Sequence, residues 1–117
     1  MRSAFVNDDE TVKKELSDGR WISVITRLAY VKWVQLYKVL GDLEKFQVQF
    51  LMATVKGWNF EDREGHVADI TEENIRKLDA ILVAEMMTGI TELIKLPLEE
   101  MRSIGSSILP SKPGAAQ

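Results

Sequence analysis

One dipeptide constrains the fold of this chain more than any other feature. Asp18-Gly19 stands between Thr11-Val12-Lys13-Lys14-Glu15-Leu16 and Arg20-Trp21-Ile22-Ser23-Val24-Ile25. Aspartate and glycine both tolerate the positive φ of a tight hairpin turn, so the pattern predicts a two-stranded hairpin. In the second strand Trp21, Ser23 and Ile25 share one face, and Ile22 and Val24 share the other. Both faces carry apolar groups. A lone hairpin is not stable in water, so at least one face must be covered by a helix or by another chain.

Residues C-terminal to the hairpin supply the cover. Across residues 28–40 the strongly polar side chains are Lys32, Gln35 and Lys38, spaced three apart, which describes a helix with one narrow wet stripe. Gly41 breaks it and Asp42 is placed as an N-cap. Leu43, Phe46, Phe50 and Ala53, with Leu51 and Val55, then give a wide apolar face over residues 42–56. The short connection implies a helical hairpin. Residues 58–70 contain Asp62-Arg63-Glu64-Gly65 and lack a long apolar run, so they read as an ordered loop or short hairpin pinned by Trp58 and Phe60. Thr71 caps the next helix, Glu72 and Glu73 complement its dipole, and Ile75, Leu78, Leu82, Met86, Ile90 and Leu93 continue at helical spacing over residues 72–96. Asp79 marks a break near residues 78–80. Pro97 ends the run; one or two further turns fit residues 98–104, and residues 105–117 hold three serines, two prolines and two glycines. The expected fold is mainly α (α+β): an N-terminal β-hairpin followed by a bundle of three to four helices. A length of 117 residues suits one domain, assigned to 10–96, with a flexible arm at 1–9 and a short helix and flexible tail at 97–117.

Composition narrows the chemistry. The chain has no cysteine and one histidine, His66, which excludes thiolate zinc sites, iron–sulfur clusters, cysteine nucleophiles and multi-histidine metal sites. Placing Gly65 at the sixth position of an EF-hand loop puts Phe60 and Thr71 where carboxylates are needed, so that reading fails. Adjacent acids such as Glu72 and Glu73 splay apart on a helix, and no Gly-rich phosphate loop is present. Neither a catalytic residue nor a cofactor is expected. Residues 1–57 hold nine Lys/Arg against seven Asp/Glu, and residues 58–117 six against eleven; the mildly basic first half is too sparse for a nucleic-acid footprint. With no signal-peptide h-region and no run of membrane-spanning length, a soluble cytosolic protein is expected.

The apolar residues say more about partners. Tyr30, Trp33 and Tyr37 fall at spacings of three and four on one helical face, while Val31, Val34 and Leu36 occupy others. That face is either core or an intermolecular contact, because one small domain rarely encloses a helix nearly all round. Met86 and Met87, flanked by Ile90 and Ile94, are either core filler or an adaptable surface for a helical partner. Tyr30, Trp33, Tyr37, Met87 and Ile94 are the candidate residues for partner binding or self-association. The aromatic face is preferred, since Met86 and Ile90 already belong to the core stripe.

The order of signals carries a family resemblance. It comprises the hairpin at 12–21, two apolar helices, Gly57-Trp58-Asn59-Phe60-Glu61-Asp62-Arg63-Glu64-Gly65, and Ile70-Thr71-Glu72-Glu73-Asn74-Ile75-Arg76-Lys77-Leu78-Asp79. Over residues 10–96 the chain resembles the tail assembly chaperones of long-tailed bacteriophages. In these proteins a Trp-Asn-Phe-Glu-Asp-x-x-Gly segment precedes Thr-x-Glu-Asn and a helix. It departs from them at Val67-Ala68-Asp69, where the family often has proline. The resemblance implies a non-enzymatic factor of the host cytoplasm that coats the long, helix-rich tape measure protein and keeps it soluble until the tail tube assembles. It also implies absence from the finished virion. A homo-oligomer is expected, as is a longer frameshifted form that engages the tail tube protein. Nucleic acid and membrane are not expected partners. Two other readings are a structural head–tail connector or tail completion protein, and a small nucleic-acid-binding regulator.

Overall fold

The computed structural model describes residues 4–6 and 10–94. The hairpin forms where Asp18-Gly19 places it: strand β1 (Thr11–Glu15) pairs antiparallel with β2 (Trp21–Ile25), in a register that sets Lys13 opposite Ser23. Asp18 has φ 59° and Gly19 φ 75°, the left-handed pair that a tight hairpin turn demands. Leu16 N–H donates to the Arg20 carbonyl at 2.8 Å and closes the turn.

Helix α1 (Tyr30–Lys38) and helix α2 (Leu43–Thr54) come next, within the expected limits of 28–40 and 42–56. Asp42 caps α2 as expected, accepting from the Lys45 N–H at 3.1 Å. The end of α2 differs from expectation. The helix stops at Thr54, and residues Val55–Trp58 form a third strand, β3, antiparallel to β2 on the side away from β1. The pairing is irregular between Ser23 and Val24. This irregularity lets Val55 and Trp58, three residues apart, both be buried, which a strict period-2 strand pattern would not show. A Cβ at Gly57 would stand 3.4 Å from Ser23 Cβ, at van der Waals contact across the pairing.

The segment expected over residues 58–70 as an ordered loop or short hairpin is a loop closed by an antiparallel bridge between Glu61 and Val67. Trp58 stacks on Phe60 with ring centroids 4.7 Å apart, and its Nε1–H donates to the Ala68 carbonyl at 2.7 Å. Asp62 Oδ1 accepts from the backbone N–H groups of Glu64 and His66, making an acidic turn around Gly65. The expected 72–96 helix is divided at residues 77–79 into α3 (Glu72–Arg76) and α4 (Ala80–Leu93). Thr71 and Asp79 both act as N-caps, accepting from Asn74 N–H at 3.0 Å and Ile81 N–H at 2.7 Å.

The helices cover one face of the three-stranded sheet. Ile22 and Val24 from β2 join Leu36, Phe50, Leu51, Met86 and Ile90 in one buried cluster. The opposite sheet face carries Trp21 and Ser23, both half-buried, with the Lys13 ammonium 4.9 Å from the Trp21 ring centroid. Among the described residues the fold is thus mixed α+β: the expected hairpin gains a third strand, and four α-helices follow and pack on it. The assignments of 1–9 as an arm and 97–117 as a short helix and tail fall wholly or largely outside the described residues.

Candidate functional site: an apolar groove between α2, α3 and α4

The expected aromatic face of α1 does not form one accessible surface. Tyr30 lies in the first turn and is 78% exposed, but Trp33 is only 3% exposed and packs in the core. Tyr37 is half-buried, its ring centroid 6.4 Å from that of Trp33. The physical reason is the sheet: Trp33 and Leu36 point into the same cluster as Ile22 and Val24, so the spacing that looked like a contact face is largely the core stripe. A surface-anchor role for Trp33 is corrected accordingly. The methionine surface divides in the same way. Met87 is half-buried, while Ile94 joins Met86 and Ile90 in the core and is likewise no surface residue. Tyr30, beside the exposed Val31, is the candidate left free on the surface.

A different surface is open. Helix α2 contributes Leu43, Glu44, Gln47, Val48 and Leu51 to one wall of a groove, α4 contributes Ala80, Val83 and Ala84 to the other, and Ile75, Arg76 and Leu78 close its end. Its volume is about 410 Å³. Leu43, in the first turn of α2, is 70% exposed at its rim. The groove exists because Asp79 starts α4 as a separate helix after α3. The small side chains at 80 and 84 then leave a trough where larger residues would have met α2.

Charge around the groove is internally matched. Arg76 Nε lies 3.0 Å from Glu44 and its Nη1 3.3 Å from Glu72. Hydrogen bonding to Glu44 first, then to Glu72, holds this guanidinium above its ordinary range. Arginine is protonated at any working pH, so the shift gives no pH dependence. Lys77 pairs with Glu73 at 3.1 Å. Such exposed pairs contribute little to stability, about 0–1 kcal/mol each, and their consequence here is a rim with little unmatched charge. The walls are mainly aliphatic, with Glu44 and Gln47 on the α2 side.

A second recess, between α1 and α2, is lined by Lys32, Gln35, Lys38, Gln49 and Glu72 and contains the wet stripe read from the sequence. Its lysines are exposed. Among the described residues there is no group of three or more His, Cys, Asp or Glu gathered as a metal site, and no helix long and apolar enough to cross a membrane. The groove was missed in the sequence for a definable reason: Ala80 and Ala84 are too small to register as an apolar stripe. The available signal was the charge distribution of α4, whose charged residues are Glu85 and Glu92 alone, both on the flank away from the groove. A comparison with protein-family models, with curated proteins and with solved structures found no match.

Proposed function

We propose that this chain is a tail assembly chaperone of a long-tailed bacteriophage, which binds the tape measure protein in the host cytoplasm and keeps it soluble while the tail tube assembles. The resemblance over residues 10–96 motivates the reading. The single observation that supports it further is the groove of about 410 Å³ with mainly apolar walls from α2 and α4, at whose rim Arg76 is paired with Glu44 and Glu72. A chaperone for a long helical protein must accept many similar amphipathic segments. A mainly apolar trough between two helices suits that task better than a pocket built around fixed polar groups. Self-association through the exposed Tyr30 and Val31 edge of α1 would repeat the groove and add avidity to individually weak contacts. In this reading a longer frameshifted form carries the contact to the tail tube protein, and the chaperone leaves before the virion is complete.

The test is co-expression with the cognate tape measure protein. Burial of Trp33 makes substitution there a folding lesion, so the informative variant is Leu43→Asp. It places a carboxylate at a 70% exposed position in the first turn of α2, where the helix dipole favours negative charge, so the fold is expected to be retained. The tape measure protein is expected to stay soluble with the wild type and to aggregate with Leu43→Asp. Equal solubility without the chaperone would defeat the reading, and full protection by the variant would defeat the choice of surface. Purified virions give the separate check: persistence of the chain in particles would favour a structural connector instead.

A further inference from the structure

Strand β1 forms one edge of the sheet, and no described residue pairs with its outer side. The phase of the hairpin ladder says which backbone groups that side presents. Leu16 N–H donates to the Arg20 carbonyl, and bonded positions alternate along an antiparallel pair. Val12, Lys14 and Leu16 therefore turn their backbone groups toward β2, while Thr11, Lys13 and Glu15 turn theirs outward. Trp21 agrees with this phase: it stands opposite Glu15, and its N–H points away from β1 to Asn59 Oδ1 at 2.9 Å. Lysine commonly blunts such an edge. Here both lysines of β1 are drawn inward, one over β2 and one onto α4. The Lys13 ammonium lies 4.9 Å from the Trp21 ring centroid, and the Lys14 stem lies along Gly89 with its ammonium 3.5 Å from Glu92. The helix layer does not close the edge either, because an open recess of about 630 Å³ lies between residues 14–17 and α4.

We propose that this edge pairs with the β1 edge of a second copy, antiparallel about a two-fold axis at Lys14, joining two three-stranded sheets into one. Charge selects the register. With the axis at Lys14, Lys13 stands opposite Glu15 of the second copy and Glu15 opposite its Lys13, on one face of the joined sheet. On the other face Val12, 43% exposed in the single chain, meets Leu16 of the second copy. An axis at Lys13 would set the two Lys13 side chains against each other, and an axis at Glu15 the two glutamates. The like pair that remains, Lys14 with Lys14, brings its own counter-charge in Glu92. Each Lys13–Glu15 pair exchanges two backbone bonds, four in all. Four bonds and two exposed ion pairs make a contact smaller than the roughly 1,200 Å² of a stable interface, so association is expected over about 10 µM to 1 mM. The contact is separate from the α1 edge given above for self-association, and two different two-fold contacts extend an assembly beyond a dimer. It does not depend on the tape measure reading.

Charge reversal in the full chain tests the register. Lys13→Glu and Glu15→Lys each set like charges opposite one another, and each is expected to lower the dimer fraction at about 1 mM severalfold in sedimentation equilibrium. An equimolar mixture of the two variants restores both opposite-charge pairs and should associate as the wild type does. Both positions are exposed, so the variants are expected to fold, and their unfolding midpoints check it. A second measurement needs no variant: in the wild type, amide exchange at Lys13 and Glu15 should slow severalfold as concentration rises, while Val12 and Lys14 stay protected throughout. A monomer at about 1 mM, or a mixture that associates no better than its components, would overturn the proposal. So would an oligomer whose Lys13 and Glu15 amides exchange freely, which would mean that the copies meet elsewhere. Because only this chain is used, failure here leaves the tape measure reading standing, and failure of the co-expression test leaves this inference standing.

Discussion

The two flanks of α4 are built from the same helix and treated in opposite ways. On the flank facing β1 and the hairpin turn, Glu85 accepts from the Ser17 N–H at 2.7 Å and the Ser17 hydroxyl at 2.8 Å, and Glu92 lies 3.5 Å from Lys14. Gly89 lets the Lys14 stem lie against the helix: a Cβ there would meet Lys14 Cε at 3.2 Å. That flank is tied by polar groups with fixed partners. On the opposite flank Ala80, Val83 and Ala84 face a trough and carry no polar tie. A flank secured by directional bonds holds one arrangement of the chain. One that offers aliphatic surface can accept any helix of about the right shape, which is the property an adaptable binding site requires.

Both flanks rest on the buried stripe between them, and the largest predicted effect breaks both at once. Phe50 and Met86 are fully buried in the common cluster. Either Phe50→Ala or Met86→Ala is expected to cost about 2–5 kcal/mol, from lost transfer energy and the cavity left behind. Thermal or urea unfolding measures it. A loss below about 1 kcal/mol in both would mean that the core is not where the flanks meet.

Legibility in the sequence tracks the strength of local signals. Asp18-Gly19, Asp42, Thr71 and Asp79 each act on the backbone within a few residues, so the turn and three helix caps could be read directly. Strand β3 could not. Val55 continues the helical spacing from Leu51, and only pairing with β2, some thirty residues earlier in the chain, decides that it is extended. The same limit governs the site. Tyr30, Trp33 and Tyr37 do lie along one side of α1, but spacing gives no direction to that side, and the sheet claims Trp33 and part of Tyr37. The groove depends on Ala80 and Ala84, whose importance is the volume they leave unfilled.

A smaller effect sharpens the comparison at the start of α4. Asp79 Oδ1 accepts from the Ile81 N–H, and this cap fixes where both flanks begin. Asp79→Ala is expected to cost about 1 kcal/mol, and Asp79→Asn should recover most of it, since the amide oxygen can accept the same bond. Next in size is the polar flank alone. Glu85→Ala removes the acceptor of two Ser17 donors, but the site is exposed and water replaces the lost bonds, so about 1 kcal/mol or less is expected. Hydrogen exchange should quicken at the Ser17 amide and leave α2 unchanged. Equal quickening at Leu43 and Val48 would show that the two flanks are not independent.

The smallest effect is expected at Ile81, which stands 80% exposed in the first turn of α4, at the rim of the recess on the β1 side and outside the groove. Isoleucine there buries little surface, so Ile81→Lys forfeits little transfer energy. A positive charge near a helix N-terminus is unfavourable by a few tenths of a kcal/mol, and the exchange of a β-branched residue for an unbranched one returns about as much. The net change in unfolding free energy should therefore lie within about 0.5 kcal/mol. Solubility should rise as the exposed aliphatic group is removed, and co-expression with the tape measure protein should be unaffected, in contrast to Leu43→Asp. A clear fall in stability would mean that Ile81 closes the β1-side recess by apolar contact. The division between a polar, fixed flank and an apolar, open one would then have to be redrawn. Loss of tape measure protection with unchanged stability would instead move the binding surface from the groove to the Ile81 side of the helix.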